Sequence, residues 1–337
     1  MGTDHFMTSR HYLVTGGLGF LGAPLVRALL KAGNEVRILD DSSRGSVSRL
    51  GDAHRDVEIV QGDIRDAEIV RRAVSGVDAV CHLAYVNGTE FFYSKPAHVL
   101  DVGVRGMLHV LDACISEGVG ELILASSSEV YQSPPNIPTD EQVPLSVPDP
   151  LNPRYSYGGG KIISELMALN YGRQYFERVL VYRPHNVYGP SMGREHVIPQ
   201  FIARVRQLMG QGHTEIPFPI QGTGDQTRSF VYVDDFIAGL MLIIEKGQHL
   251  GIYNVGTLEE VEISDLAHRV AAYLGARIRI EPGRPAEGGA LRRCPDISKL
   301  QALGYEPKHT LNEGLPPTID WYVANDPLAR ELTSSGT

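Results

Sequence analysis

The chain has little cysteine: Cys81, Cys114 and Cys294 are the three thiols among 337 residues. Three scattered thiols give no disulfide framework, and with no CxxC pair and no metal-ligand spacing they offer no metal site. Cys81 and Cys114 sit in apolar runs, where cysteine behaves as a small hydrophobe. Reduced, buried thiols in a cytoplasmic protein are the expectation. No apolar run approaches the ~18 residues needed to span a bilayer. The first ten residues, MGTDHFMTSR, lack the apolar core of a secretory signal and read as a frayed leader. A formal net charge of −9 without any Lys/Arg block argues against nucleic acid or an anionic membrane as partner. Internal repeats and low-complexity linkers are also missing.

What is present is a foldable chain. Hydrophobic residues make up 42% and charged residues 21%, enough to bury a sizeable core in one large domain or two small ones. Glycine (36) and proline (21) are frequent but aperiodic, as in a turn-rich α/β protein. Short apolar runs at 11–16, 35–40, 57–63, 77–84, 121–127 and 178–184 read as buried strands. Helical spacing occupies 20–33, 66–75, 97–117 and 157–176 between them. Strands separated by such helices make right-handed parallel crossovers, hence a doubly wound parallel α/β sheet. After Pro184 turn signals thicken (YGPSMG, GQG, PFPIQGTGD, EPGRPAEGG). Helices remain legible at 196–209, 234–246, 264–274 and 311–324, and strands at 229–233, 251–255 and 278–281. The second half reads as a smaller lobe built onto the sheet.

Residues 15–22 read TGGLGFLG, with Gly16, Gly19 and Gly22 between a strand and a helix, and Phe20 and Leu21 between the last two. Glycine permits the tight turn, close approach to a pyrophosphate and close helix–strand packing, while the helix N-terminus faces the phosphate charge. Asp40 ends the second strand, where a carboxylate accepts ribose hydroxyls and repels a 2′-phosphate. NAD is therefore expected rather than NADP. Arg44, the one feature pointing the other way, reads as a solvated loop residue.

The TGxxGxxG spacing resembles the short-chain dehydrogenase/reductase superfamily, in particular its extended branch of NAD-dependent nucleotide-sugar epimerases and dehydratases. That resemblance implies a Rossmann-like sheet, with Asp63-Ile64 as adenine contact and Leu83-Ala84 beside the cofactor. Two positions depart from the family pattern. Gly103 stands where an Asn is usual, and Gly160 replaces a small polar residue before the lysine.

Tyr157 and Lys161 form a YxxxK on one helical face. A phenol near pKa 10 is a poor base at pH 7, but an adjacent ammonium and a nicotinamide cation lower it. The phenolate can then take a sugar hydroxyl proton. Lys161 would also hold the nicotinamide ribose. By resemblance, Ser127 is the hydrogen-bonding partner of the reacting hydroxyl. The glycines at 158–160 read as admitting cofactor or substrate close to the backbone. Ser128 and Glu129 follow at the strand end, where ligands bind in open α/β sheets. Glu129 matches the acidic residue of dehydratases and decarboxylases; next to a C4 ketone a carboxylate there could remove the C5 proton, the alternative role being a hydrogen bond to a sugar hydroxyl.

Further along, Asn186 in RPHNVYGP, Arg228 in GTGDQTRSFVYVDD and Arg292 in RRCPD match positions that hold a nucleotide diphosphate sugar, with Arg293 as the alternative to Arg292. His185 reads as a structural or pocket-lining imidazole rather than a second base. Loop 85–95 is expected beside the sugar. The resemblance also implies a homodimer through helices 97–117 and 157–176. The expected division is 11–183 plus 229–256 for the cofactor and 184–228 plus 257–325 for the sugar nucleotide, with flexible termini at 1–10 and 326–337. Transient oxidation at C4 followed by hydride return, an epimerase, is the reading adopted. The alternatives are a 4,6-dehydratase or decarboxylase using Glu129, a net reductase consuming NADH, and a catalytically silent NAD-binding regulator.

Overall fold

A computed structural model describes residues 9–209, 215–284 and 288–325. The expected flexible ends 1–8 and 326–337 lie outside the described residues. Arg10, in the expected leader, ion-pairs with Glu121.

Seven parallel strands form the central sheet. The first six in chain order are β1 (His11–Thr15), β2 (Glu35–Asp40), β3 (Val57–Gln61), β4 (Ala79–His82), β5 (Glu121–Ala125) and β6 (Arg178–Pro184). The seventh, Gly251–Val255, pairs with β6 at one edge, and β3 closes the other edge. Neighbours run Gly251–Val255, β6, β5, β4, β1, β2, β3. The order reverses on either side of β1, so the carboxyl ends of β1 and β4 splay connections to opposite faces and open a crevice.

Alternation along the strands fills two cores. Tyr12, Val14, Ile38 and Ile123 point to the face covered by α1 (Gly22–Lys31) and the helix Val233–Lys246. Leu13, Leu39, Val80 and Leu122 point to the face covered by α2 (Ala67–Val74) and the helices Gly106–Glu117 and Tyr155–Tyr175. All eight are at most 3% exposed, each aliphatic side chain contributing roughly 1.5–3 kcal/mol of burial.

The expected long helix at 97–117 is present and carries a π segment within it. It runs as Pro96–Leu100, a π turn at Asp101–Arg105, and Gly106–Glu117. Beyond β6 the second lobe adds a strand the sequence hid, Ile216–Ile220, parallel to Ile278–Pro282. Thr227–Ser229 lies between Glu260–Glu262 and Arg292–Arg293. The helix Leu311–Ala324 opens on a Thr310/Glu313 capping box, which satisfies two backbone donors that helix geometry leaves orphaned.

Candidate active site

The crevice is a cleft of about 1690 Å³, and every predicted cofactor, catalytic and sugar-side residue lines it or its rim. Backbone crowding explains the glycines. Gly16 has φ +71°, and a Cβ there would stand 2.9 Å from the Ala84 nitrogen. A Cβ on Gly22 would come 2.7 Å from the Gly17 Cα, so α1 could not pack onto β1. Thr15 locks the facing turn: its Oγ1 accepts from the backbone N–H groups of Leu83 and Ala84, both at 3.2 Å. No acidic side chain occupies the first turn of α1, which leaves the helix dipole free for an anion.

Asp40 is buried at the end of β2, its oxygens accepting from the backbone N–H of Leu18 at 3.0 Å and Ser42 at 2.8 Å. Burial raises its carboxyl above the usual value, against those two bonds. Asp63 is gripped by Arg65 at 2.6 Å and Ile64 is buried beside it. Gly cradle, dipole and Asp40 together fit a dinucleotide.

At the carboxyl end of β5 the catalytic candidates converge. Tyr157 stacks on Phe92 (centroids 4.7 Å, 15°) and meets Tyr85 edge-on. Burial pushes its phenol up to about 12, and a hydrogen bond with Ser127 draws it back. Ser127 Oγ also accepts from the Glu129 N–H at 3.1 Å, capping the turn Ser128–Val130. Lys161 is 3% exposed. Its Nζ donates to the Ala125 carbonyl at 2.6 Å and lies 5.9 Å from the Tyr157 ring centroid. Burial lowers its ammonium to about 7.

Glu129 is clamped at the far end. Arg293 Nη1 donates to it at 2.6 Å and Arg154 stands 3.8 Å away. Burial works to raise its carboxyl, and the arginines, Arg293 foremost, hold it below the usual carboxylate value. Arg228 sits within electrostatic reach of Glu129, with Nη2 donating to the Ala290 carbonyl at 2.8 Å. Asn186 takes φ +41° and donates to the Ser229 carbonyl at 2.8 Å.

Two expectations change. Arg292, preferred from the sequence, turns outward: its side chain is 55% exposed and bound to Glu260 at 2.7 Å. Adjacent residues of a strand point oppositely, so Arg293 faces Glu129. Arg44 is an exposed loop residue, as expected, and it has partners. It ion-pairs with Glu195, donates to the Asn87 carbonyl and lies over Phe91. The glycines at 158–160 admit protein rather than ligand, Gly158 facing Gln132 and Glu129, and Gly160 facing Tyr85. His185 is fully buried beside Asn254 (3.2 Å), and burial lowers it to about 3, so the imidazole stays neutral. Among the described residues no three His, Cys, Asp or Glu side chains gather as a metal site, and no helix is long and apolar enough to cross a membrane.

Sequence reading missed a buried polar relay behind the site. Ser126 donates to Glu165, Glu165 pairs with Arg183 at 2.6 Å, Arg183 donates to the Tyr131 hydroxyl at 2.7 Å, and Tyr131 donates to Asn254 at 2.8 Å. The signal available was three polar residues set inside elements, Glu165 in a helix and Arg183 and Asn254 in apolar strands.

Known proteins share the family and the fold. Residues 12–256 match the model of the NAD dependent epimerase/dehydratase family. The dTDP-4-dehydro-6-deoxy-D-allose reductase of Streptomyces bikiniensis is 34% identical over 93% of this chain and 96% of its own. The dTDP-glucose 4,6-dehydratase DesIV of Streptomyces venezuelae, solved with NAD bound, superposes with TM-score 0.82 at 32% identity, covering 94% of this chain and 97% of that one. The UDP-glucose 4-epimerase of Thermotoga maritima, solved with UDP-glucose, gives TM-score 0.81 at 29% identity over 93% and 99% of the two chains. The chain belongs to the NAD-dependent epimerase/dehydratase family.

Proposed function

We propose that this family member is an NAD-dependent nucleotide-sugar epimerase that oxidises its sugar transiently at C4. NAD, when bound, accepts a hydride from the sugar and returns it. Tyr157 as phenolate removes the hydroxyl proton, Ser127 orients that hydroxyl, and Lys161 supplies the positive charge that favours the phenolate. Gly16, Gly19 and Gly22 hold the pyrophosphate, Asp40 the adenosine ribose, and Asp63 and Ile64 the adenine. Phe20, Leu21, Leu83 and Ala84 complete that wall. Asn186, Arg228 and Arg293 hold the sugar diphosphate, because three arginines against the single Glu129 carboxylate leave net positive charge for an anion. We assign 11–183 and 229–256 to the cofactor, and 184–228 and 257–325 to the sugar nucleotide. The pairing of Gly251–Val255 with β6 supports that division.

One observation carries the epimerase reading. Glu129 is paired with Arg293 and Arg154 and held below the usual carboxylate value, which makes it a weak base, and its neighbour Ser128 is no acid. Turnover of a nucleotide-sugar panel in deuterated water tests this by NMR and mass. The expected product is epimerised, free of deuterium at C5, and formed without net NADH. Glu129→Gln should lower turnover by less than the roughly 10²-fold expected of a lost general base. The position of Glu129 in the cleft supports a second reading, the 4,6-dehydratase or decarboxylase. Deuterium at C5 with loss of turnover in Glu129→Gln would establish it, net NADH consumption would establish a reductase, and NAD binding without turnover a regulator.

The same resemblance supports a homodimer through 97–117 and 157–176. Leu108, Ile163 and Leu166 on these helices are 38%, 40% and 56% exposed, costly in water as a group. Leu166→Arg is expected to halve the mass seen by light scattering, and an unchanged mass would overturn the assignment.

A further inference from the structure

Tyr85 directly follows the Leu83-Ala84 turn, and none of the chemistry above uses its phenol. The Lys161 Nζ lies 3.9 Å from its ring centroid. It meets the Tyr157 ring in a T-shaped contact with centroids 5.2 Å apart at 86°. The Tyr85 hydroxyl is buried, without a hydrogen-bond partner among the described residues. Two glycines on separate elements border that hydroxyl. A Cβ on Gly103, in the π turn, or on Gly160, in the catalytic helix, would overlap it. One phenol fills the space that both glycines vacate.

The surroundings of Lys161 need such a group. Its other titratable or charged neighbours are Glu165 and Tyr157 on its own helix and His82 at the end of β4. Glu165 is already committed to Arg183 and Ser126. His82 shares Thr15 Oγ1 at 2.8 Å and is lowered by burial and by the lysine. The Ala125 carbonyl takes one N–H. An aromatic face offers negative quadrupole density to the remainder of a partly desolvated ammonium.

We propose that Tyr85 is a positioning residue whose ring face seats the Lys161 ammonium and whose T-shaped contact fixes Tyr157. Gly103 and Gly160 are small so that this ring can enter. The sugar-side identity of the enzyme does not bear on this assignment.

The first test needs no substrate. The chain has six lysines, so a heteronuclear NMR titration of labelled lysine resolves Lys161. Tyr85→Phe keeps the ring and should leave the Lys161 midpoint in place. Tyr85→Leu keeps apolar bulk but loses the quadrupole, which disfavours the charged form. Its midpoint should fall by roughly 0.5–1.5 pH units. Equal midpoints in the Phe and Leu variants would overturn the cation-seating role.

The second test separates packing from charge. Gly160→Ser is expected to lower the folding constant strongly beside Tyr85, and on the order of tenfold less, or better, in a Tyr85→Ala background. Folding of the double variant where Gly160→Ser alone fails counts the same way. Equal losses in both backgrounds would show that the glycine does not make room for the ring.

Discussion

Tyr157→Phe is expected to lower turnover by roughly 10³-fold while the protein still folds and still binds NAD. The substitution removes one oxygen. Stacking on Phe92 at 4.7 Å and the edge contact with Tyr85 need only the ring, so the pocket wall survives, and only the hydrogen bond with Ser127 is lost. The size of the effect follows from what burial does to the two ionisable groups. A phenol pushed up to about 12 is almost wholly protonated at neutral pH, so its use as a base depends on nearby positive charge. Lys161 is the buried cation on the same helical face. A positive neighbour lowers a phenol's pKa, so Lys161→Met should move the acid limb of the turnover–pH profile to higher pH as well as lower its plateau. Ser127→Ala should cost less, because the serine orients a hydroxyl and ionises nothing. The measurements are turnover across pH and nucleotide binding by protein fluorescence. Tyr157→Phe retaining more than about a tenth of the activity would exclude the phenol as base, since general bases contribute at least ~10²-fold.

How far the sequence anticipates this site depends on which physical signal each residue leaves. Glycine at 16 and 22 is enforced by backbone approach, and that constraint is local, so the motif was readable. The YxxxK pair lies within one helical turn and was equally visible. Choosing between Arg292 and Arg293 required the register of a two-residue strand against Thr227 and Arg228, which no spacing within RRCPD records. Ile216–Ile220 was hidden by its own prolines, which usually argue against a strand. Pro217 and Pro219 share one side of it, opposite the side that pairs: the Ile216 N–H donates to the Arg277 carbonyl at 2.9 Å. The missing donors therefore fall where no neighbour strand stands. Helix 97–117 is continuous, as its apolar period implies, but the π turn within it and the approach of Tyr85 to Gly103 in that turn are tertiary features that no local spacing records.

The relay behind the site carries the largest expected stability effect. Arg183 and Glu165 are each about 2% exposed on their side chains and 2.6 Å apart, in a region where water cannot compensate either charge. Arg183→Met leaves the Glu165 carboxylate buried with Ser126 as its remaining partner, and an orphaned buried charge costs about 3–5 kcal/mol. Loss of the guanidinium also strips the Tyr131 hydroxyl of a donor at 2.7 Å and the Glu141 carbonyl of one at 3.2 Å. Against a typical total of about 5–15 kcal/mol, much of the fold's margin goes. Urea midpoints should show it, with poor yield of folded protein as the extreme case. Removing both charges is a different perturbation. In Arg183→Met/Glu165→Leu both members of the ion pair are gone, so the double variant should recover more than half of the lost stability. Its turnover should stay low even so, because Ser126 loses the carboxylate that anchors it one residue before Ser127. Stability recovered together with full turnover would mean that the relay holds the fold but not the reacting serine. A double variant no more stable than Arg183→Met would mean that shape rather than charge is what the pair supplies.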